Sequence, residues 1–214
     1  ETLPLYQTIA LRGVVAVIGL LVIGAARGGL TVRLPRHDLI LIALRSLADV
    51  AATILFLTAL MHMPLANLSA VMQAIPLAVT LGAAVFYGDR IGWRRMTAIV
   101  VGFAGVLIII RPGTEGVSIW SVLGLGSVLA VMLRDLSVRR LTHAVPSILV
   151  ALGAGVAVTT MGFIGTAFEG WAAVDLQHGL MLLAAGSMLI IGYICAVTAM
   201  RVGDGGVVAP FRYT

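Results

Sequence analysis

Long uncharged runs constrain this chain more than any other feature of its sequence. Residues 66–87 carry no formal charge over 22 positions, and residues 96–110 form another such run. A helix needs about 20 apolar residues to cross a bilayer. No water in the hydrocarbon core can satisfy a free N–H or C=O group, so a spanning segment must be a helix or a barrel strand. The length of the runs and their lack of period-two alternation favour helices.

Composition indicates a membrane protein with several spans. Hydrophobic residues make up 60% of the chain, charged residues make up 11%, and the mean hydropathy is +1.10. An ordinary soluble domain has about 25% charged residues. The net charge of +5 does not predict a nucleic-acid partner, because the basic residues fall at helix ends on alternate loops. The sequence therefore predicts an all-α transmembrane helix bundle in a lipid bilayer.

Seven complete spans and part of an eighth are predicted. The seven cover residues 4–26, 39–60, 66–87, 96–110, 119–133, 147–168 and 180–200, and the eighth begins near Val207. The fifth is short, and we expect its helix to extend through Arg134-Asp135. Pro112 and Gly113 end the fourth span, and Pro146 is suited to begin the sixth. The chain starts with Glu1 rather than Met and stops soon after the eighth span opens. We therefore expect it to be a fragment of a longer protein.

The distribution of arginine predicts the orientation of the spans. Only Arg111 lies in the loops that follow the even spans. The loops that follow the odd spans carry ten arginines, which are Arg27, Arg33, Arg36, Arg90, Arg94, Arg95, Arg134, Arg139, Arg140 and Arg201. Loops rich in Arg are cytoplasmic in membrane proteins. The first span is therefore predicted to run from outside to inside.

A weak internal similarity indicates a repeat. Thr58-Ala59-Leu60 and Thr198-Ala199-Met200 match at an offset of 140 positions, and each is followed by a short turn and a new helix. These strings end the second and the seventh span, which are five spans apart. An odd displacement means that the two copies cross the membrane in opposite directions, as in the inverted repeats of many secondary transporters.

Several spaced elements in residues 58–113 resemble the EamA-type branch of the drug/metabolite transporter superfamily. They are Ala59-Leu60, Met63-Pro64-Leu65-Ala66, Pro76, Gly88-Asp89-Arg90, Trp93-Arg94-Arg95, Gly102, Gly105 and Ile110-Arg111-Pro112-Gly113. The resemblance extends over nearly the whole chain and returns at Ala209-Pro210 and Tyr213. Asp89 stands where the family more often has glutamate, and the sign of the charge is kept.

The resemblance implies a fold of five helices repeated twice in inverted orientation. Residues 1–113 would form the first repeat without its first helix, and residues 114–214 would form a second repeat truncated at its end. It also implies a secondary transporter of a small organic metabolite or drug in the bacterial cytoplasmic membrane, with export as the expected direction. Energy would come from a substrate, proton or ion gradient.

Three charged side chains inside the spans are candidates for a binding site. They are Arg12, Arg45 and Asp49, and each costs at least about 2.5–3.5 kcal/mol in the bilayer. In one interpretation Arg12 or Arg45 anchors a substrate carboxylate, while Asp49 is a counter-ion or a proton site. In the other, Arg45 and Asp49 pair across one helical turn and only stabilise packing. Arg45 could instead extend to the cytoplasmic surface.

Polar and aromatic residues add further candidates. Pro76 is expected to kink the third span and expose a carbonyl, and Gln73 lies one turn before it. Both could instead be satisfied by neighbouring helices. Tyr193, Phe211 and Tyr213 could line a pocket, or they could face lipid.

Other functional classes find less support in the sequence. An enzyme embedded in the membrane would need His, Asp, Ser or Cys clustered at one depth, and the spans contain no such cluster. A structural subunit remains an alternative, but it leaves Arg12 unexplained. Neither a cofactor nor a metal site is expected, because Cys195 stands alone and the four histidines are scattered over loops on both sides.

Overall fold

The computed structural model describes residues 3–27, 34–110, 118–142 and 144–202, and within these ranges it is built from helices and turns. The helices are α1 Leu5–Ala26, α2 Arg36–Leu60, α3 Leu65–Met72, α4 Ile75–Tyr87, α5 Trp93–Ile110, α6 Ile119–Arg139, α7 Ser147–Glu169 and α8 Leu176–Val202. The predicted all-α bundle is confirmed.

Six stretches in the described ranges are long and apolar enough to cross a membrane. They are α1, α2, the pair α3–α4, α6, α7 and the first 24 residues of α8. Helix α5 coincides with the fourth predicted span but is not one of the six. The predicted start of an eighth span near Val207 lies outside the described residues, so the number of spans stays a prediction.

Capping explains why α8 begins before its predicted start at residue 180. The Asp175 carboxylate accepts a hydrogen bond from the backbone N–H of His178 (2.8 Å), and the His178 ring lies against the same oxygen (2.5 Å). These bonds favour the charged carboxylate and hold the pKa of Asp175 below its ordinary value. A carboxylate in this position satisfies a free N–H group of the first turn.

The predicted third span is divided near its middle. Helix α3 ends at Met72, and α4 begins at Ile75 after two residues with ψ angles of −14° and −11°. Pro76 lacks the N–H group that would bond to the carbonyl of Met72, so the regular helix is interrupted one turn before the proline. Pro76 thus lies in the first turn of α4, where its ring is compatible with a helix.

Glycines join α1 and α7 along a closely packed antiparallel seam. A methyl group at Gly162 would lie 2.7 Å from the backbone nitrogen of Ala10, and one at Gly155 would lie 3.4 Å from the Val17 side chain. Residues later in α1 therefore meet residues earlier in α7. Small residues allow membrane helices to approach this closely, where dispersion contacts between backbones replace contacts with lipid.

Helices α2 and α6 form a second antiparallel pair. Leu55 contacts Gly126 near one end of the pair. At the other end the Asp38 carboxylate accepts hydrogen bonds from the backbone N–H of Thr142 (3.2 Å) and from its hydroxyl (2.6 Å). Helix α2 also packs on α7, and α1 packs on α8.

Contacts between helix ends assign the loops to two sides of the bundle. On one side the Gln7 side chain donates to the carbonyl of Ala172 (2.7 Å) and accepts from its N–H (2.9 Å). On the other side Arg139 pairs with Asp89 at 3.1 Å. The start of α1 therefore lies beside the α7–α8 loop, while the α4–α5 loop lies beside the end of α6. This alternation agrees with the arginine distribution.

We expect Gly162→Ala to lower the free energy of unfolding by about 1–3 kcal/mol, because its methyl group would meet the backbone of α1. Gly105→Ala is the matched control, since a methyl group there meets nothing within 4 Å. Thermal unfolding in detergent compares the two variants. Equal unfolding temperatures would contradict the close seam.

The predicted orientation can be checked with single cysteines in a Cys195→Ser background. Ala173→Cys should react with a membrane-impermeant maleimide on intact cells, because the α7–α8 loop is predicted to be outside. Gly92→Cys should react only after the cells are permeabilised. The opposite labelling pattern would reverse the orientation.

Candidate functional site

Buried charges from three helices meet inside the bundle. Arg12 belongs to α1, Asp49 to α2, and Arg134 and Asp135 to α6. Arg134 Nη1 donates to Asp49 Oδ1 at 3.0 Å, and Arg134 Nε donates to Asp135 Oδ1 at 3.0 Å. The Asp49 and Asp135 side chains are 9% and 3% exposed. A guanidinium that binds two carboxylates in this way lowers the cost of burying all three groups.

The helices place this ion pair deep in the bundle. Asp49 follows the first residue of α2 by 13 positions, and at 1.5 Å per residue this is about 20 Å from that end. Its distance to the other end at Leu60 is about 16 Å. Asp49 therefore lies near the middle of α2, as its position in the sequence predicts.

The ion pair of Arg45 with Asp49, one of the alternatives left open by the sequence, is not formed in the described structure. Arg45 is 3% exposed, and its Nη1 donates to the carbonyl of Val150 in α7 at 3.3 Å. Its Nε has no hydrogen-bond partner among the described residues. Arg45 and Asp49 share a helix face, but Arg134 reaches Asp49 across the α2–α6 interface and forms the closer ionic contact. The burial of Arg45 also excludes extension to the cytoplasmic surface.

Two cavities meet at the charged residues. One, of about 440 Å³, lies between α1, α2, α3 and α6, and we call it the α3 cavity. The other, of about 540 Å³, lies between α1, α2, α6 and α8, and we call it the α8 cavity. Arg12, Asp49 and Arg134 line both cavities. The remaining lining of the α8 cavity is Ala185, Met188, Leu189, Gly192, Tyr193 and Ala196.

Arg12 differs from Arg45 and Arg134 in its partners. Within the described ranges its guanidinium has no hydrogen bond and no ion pair, and it is partly exposed to both cavities. Arg134 binds two aspartates, and Arg45 binds a backbone carbonyl. Arg12 is therefore the cation here that can accept a ligand without losing an existing contact.

The structure brings some of the predicted site residues together. Tyr193 lines the α8 cavity with Arg12 and Asp49. Gln73 is exposed, and neither Gln73 nor Pro76 lines either cavity. Phe211 and Tyr213 lie outside the described residues.

Arg134 and Asp135 were expected to extend the fifth predicted span, but neither was a predicted site residue. Arg134 was assigned to a cytoplasmic loop, and that assignment is wrong, because it lies within α6 and contacts Asp49. The predicted fifth span, residues 119–133, has 15 positions and is too short to cross a bilayer. That length was the signal that the helix continues through Arg134 and Asp135.

Comparison with known proteins identifies relatives of the whole chain. Residues 1–111 match the EamA-like transporter family. The chain is 27% identical over 220 residues to the pseudopaline exporter CntI of Pseudomonas aeruginosa. The aligned region covers 99% of this chain and 74% of that protein. It is 28% identical over 146 residues to a riboflavin transporter of Vibrio cholerae, covering 67% of this chain and 48% of that protein. No solved structure matches.

A double-mutant cycle tests the ion pair between α2 and α6. We expect Arg134→Gln to lower the free energy of unfolding by about 3–5 kcal/mol, because it removes the partner of the buried Asp49 carboxylate. Asp49→Asn should lower it by less, since Arg134 keeps its contact with Asp135. The double variant should lose clearly less than the sum. The same cycle on Asp89 and Arg139, a more exposed pair, should give a coupling below about 1 kcal/mol. Additive losses at Asp49 and Arg134 would contradict the contact.

Proposed function

This chain belongs to the EamA-like transporter family, and we propose that it is a secondary transporter that moves a small organic metabolite or drug across the bacterial cytoplasmic membrane by alternating access. Its relatives include a named exporter and a riboflavin transporter, which supports transport as the function and export as the direction. The resemblance drawn from residues 58–113 is confirmed, and the chain is an integral membrane protein.

The observation that carries the proposal is the pair of cavities joined at shared charges. Arg12, Asp49 and Arg134 line both the α3 cavity and the α8 cavity. Charged residues within membrane helices face cavities or pair with one another, and they mark pathways for substrates and ions. A solute that passes from one cavity to the other would therefore meet these three side chains.

We further propose that residues 1–113 and 114–214 are the two inverted repeats of the transporter. Helices α1 and α7 would be equivalent, and they share Ala-Leu, Val-Ala-Val and Ile-Gly at an offset of 141 positions, beginning at Ala10 and Ala151. They run in opposite directions along the glycine seam. Inverted halves of this kind carry their substrate site near the middle of the membrane.

The packing of the next helices supports the same arrangement. The symmetry of the proposed repeats that relates α1 to α7 also relates α2 to α8. The contact between α2 and α7 is therefore equivalent to a contact between α8 and α1. Both contacts are present. Gly186 meets Val15 and Gly19 meets Ile190, so α8 runs parallel to α1. The seam between α1 and α7 would then be the axis about which the halves rock.

Gradients of substrate, protons or other ions would supply the energy. Asp49 is the candidate proton site on the path. Its ionic partner is Arg134, whereas the sequence had suggested Arg45. A rearrangement of the Asp49–Arg134 contact at the junction of the cavities would couple ion binding to the rocking of the halves.

Transport by the full-length protein in proteoliposomes tests this proposal. We expect uptake or export of at least one metabolite, and a loss of at least about tenfold in Arg12→Ala and in Asp49→Asn, since each removes a charge from the junction of the cavities. Arg95→Ala, on the exposed start of α5, is the control and should keep full flux. Unchanged flux in both site variants would refute the site, and no flux of any metabolite would favour a structural subunit.

A further inference from the structure

We propose that the substrate of this transporter carries one net negative charge, in the form of a carboxylate, and that Arg12 is the residue that binds it in the α8 cavity. This inference rests on the proposed function and names the substrate class for the same site. It decides between the two arginines that the sequence left as alternatives.

Arg12 lies beside both cavities and has no partner among the described residues. A guanidinium stays protonated in proteins and offers five donors in a planar fork. Arg12 lies in α1 seven positions after its start, about 10 Å into the helix, and it lines both cavities. No hydrogen bond or ion pair holds it in the parts of the chain that the structure describes. Its charge therefore needs a partner that the described residues do not provide.

The charged residues around the cavities do not balance one another. Among the residues that the structure describes, Arg12, Arg45 and Arg134 contribute three positive charges to the cluster. The two negative charges come from Asp49 and Asp135, and both carboxylates contact Arg134. One positive charge remains, and a monoanion balances it. A phosphate monoester carries nearly two negative charges at neutral pH and would exceed it. An amine would add to the excess, because both aspartates are already engaged.

The burial of Arg45 excludes it as the residue that binds the carboxylate. Arg45 is 3% exposed and binds the carbonyl of Val150, and it lines neither cavity. A ligand could reach it only after α2 and α7 separate. Arg12 is accessible from both cavities without any such change.

The other residues that line the α8 cavity suit a carboxylate with an uncharged body. Tyr193 offers a second donor, since its hydroxyl has no hydrogen-bond partner among the described residues. A carboxylate has two oxygens and can accept from Arg12 and from Tyr193. The α8 side chains beside them, such as Met188 and Leu189, are apolar. About 540 Å³ is within the range of small-molecule sites. The substrate would thus have an uncharged body and one acidic end.

The experiment uses the full-length protein in proteoliposomes with a bacterial metabolite extract as the probe. The extract is separated by net charge into anionic, neutral or zwitterionic, and cationic fractions, and mass spectrometry identifies which compounds accumulate. We expect accumulation of compounds with one net negative charge. Arg12→Gln should reduce it at least tenfold, Arg12→Lys should keep part of it, and Arg95→Gln should leave it unchanged.

Tyr193→Phe provides a second variant that keeps the aromatic ring. We expect a several-fold increase in KM for the accumulated anion, with no change in the unfolding temperature, because the variant removes only the hydroxyl. A structural role for Arg12 would lower the unfolding temperature of Arg12→Gln, whereas loss of the anion site alone would leave it near that of the unmodified protein.

Each outcome decides between the two proposals. Accumulation of only neutral or cationic compounds would overturn the anion inference and leave the transporter proposal intact. Unchanged anion transport in both Arg12→Gln and Tyr193→Phe would overturn the assignment of the site. No accumulation from any fraction would overturn the proposed function, and the inference with it.

Discussion

Compensation of charge in a medium without water is the constraint on which this structure depends. Arg134 satisfies it for three groups at once, because its guanidinium bridges Asp49 on α2 and Asp135 on its own helix. The bridge fixes the register of two antiparallel helices near the middle of the bundle. Arg12 is left with a charge that the described residues do not compensate, and in the proposed mechanism this is the charge that binds the substrate.

Close packing of α1 makes that difference possible. Gly162 brings α7 against the backbone of Ala10 on one side of α1, and Gly186 brings α8 against Val15 on the other. Helix α1 is therefore held against both α7 and α8, and Arg12 faces both cavities. Because these glycines have no side chains, α7 and α8 each form a close interface with α1. In the proposed mechanism these interfaces would slide when the halves rock, while the charged junction stays between the cavities.

The sequence predicts the helices well because each depends on a local property, the length of an apolar run. It selects Arg12 and Asp49 as candidates for the same reason, since a charge inside such a run is visible without the fold. It does not predict that Asp49 pairs with Arg134, because the spacing rule for ion pairs considers one helix at a time and α6 approaches only in the folded bundle. Gln73 was likewise selected by its spacing from Pro76, but the break in the helix lies at Gln73 and Ala74 and leaves that side chain exposed.

We infer that the charged residues border a water-filled path rather than lipid. Thiol accessibility in the full-length protein tests it most directly, with Thr53→Cys and Ile54→Cys in a Cys195→Ser background. Thr53 lines the α3 cavity, whereas Ile54 is its neighbour on the exposed apolar surface of α2. We expect a membrane-impermeant methanethiosulfonate to modify the cysteine at position 53 and to spare the one at position 54. Modification of position 54 with protection of position 53 would contradict it.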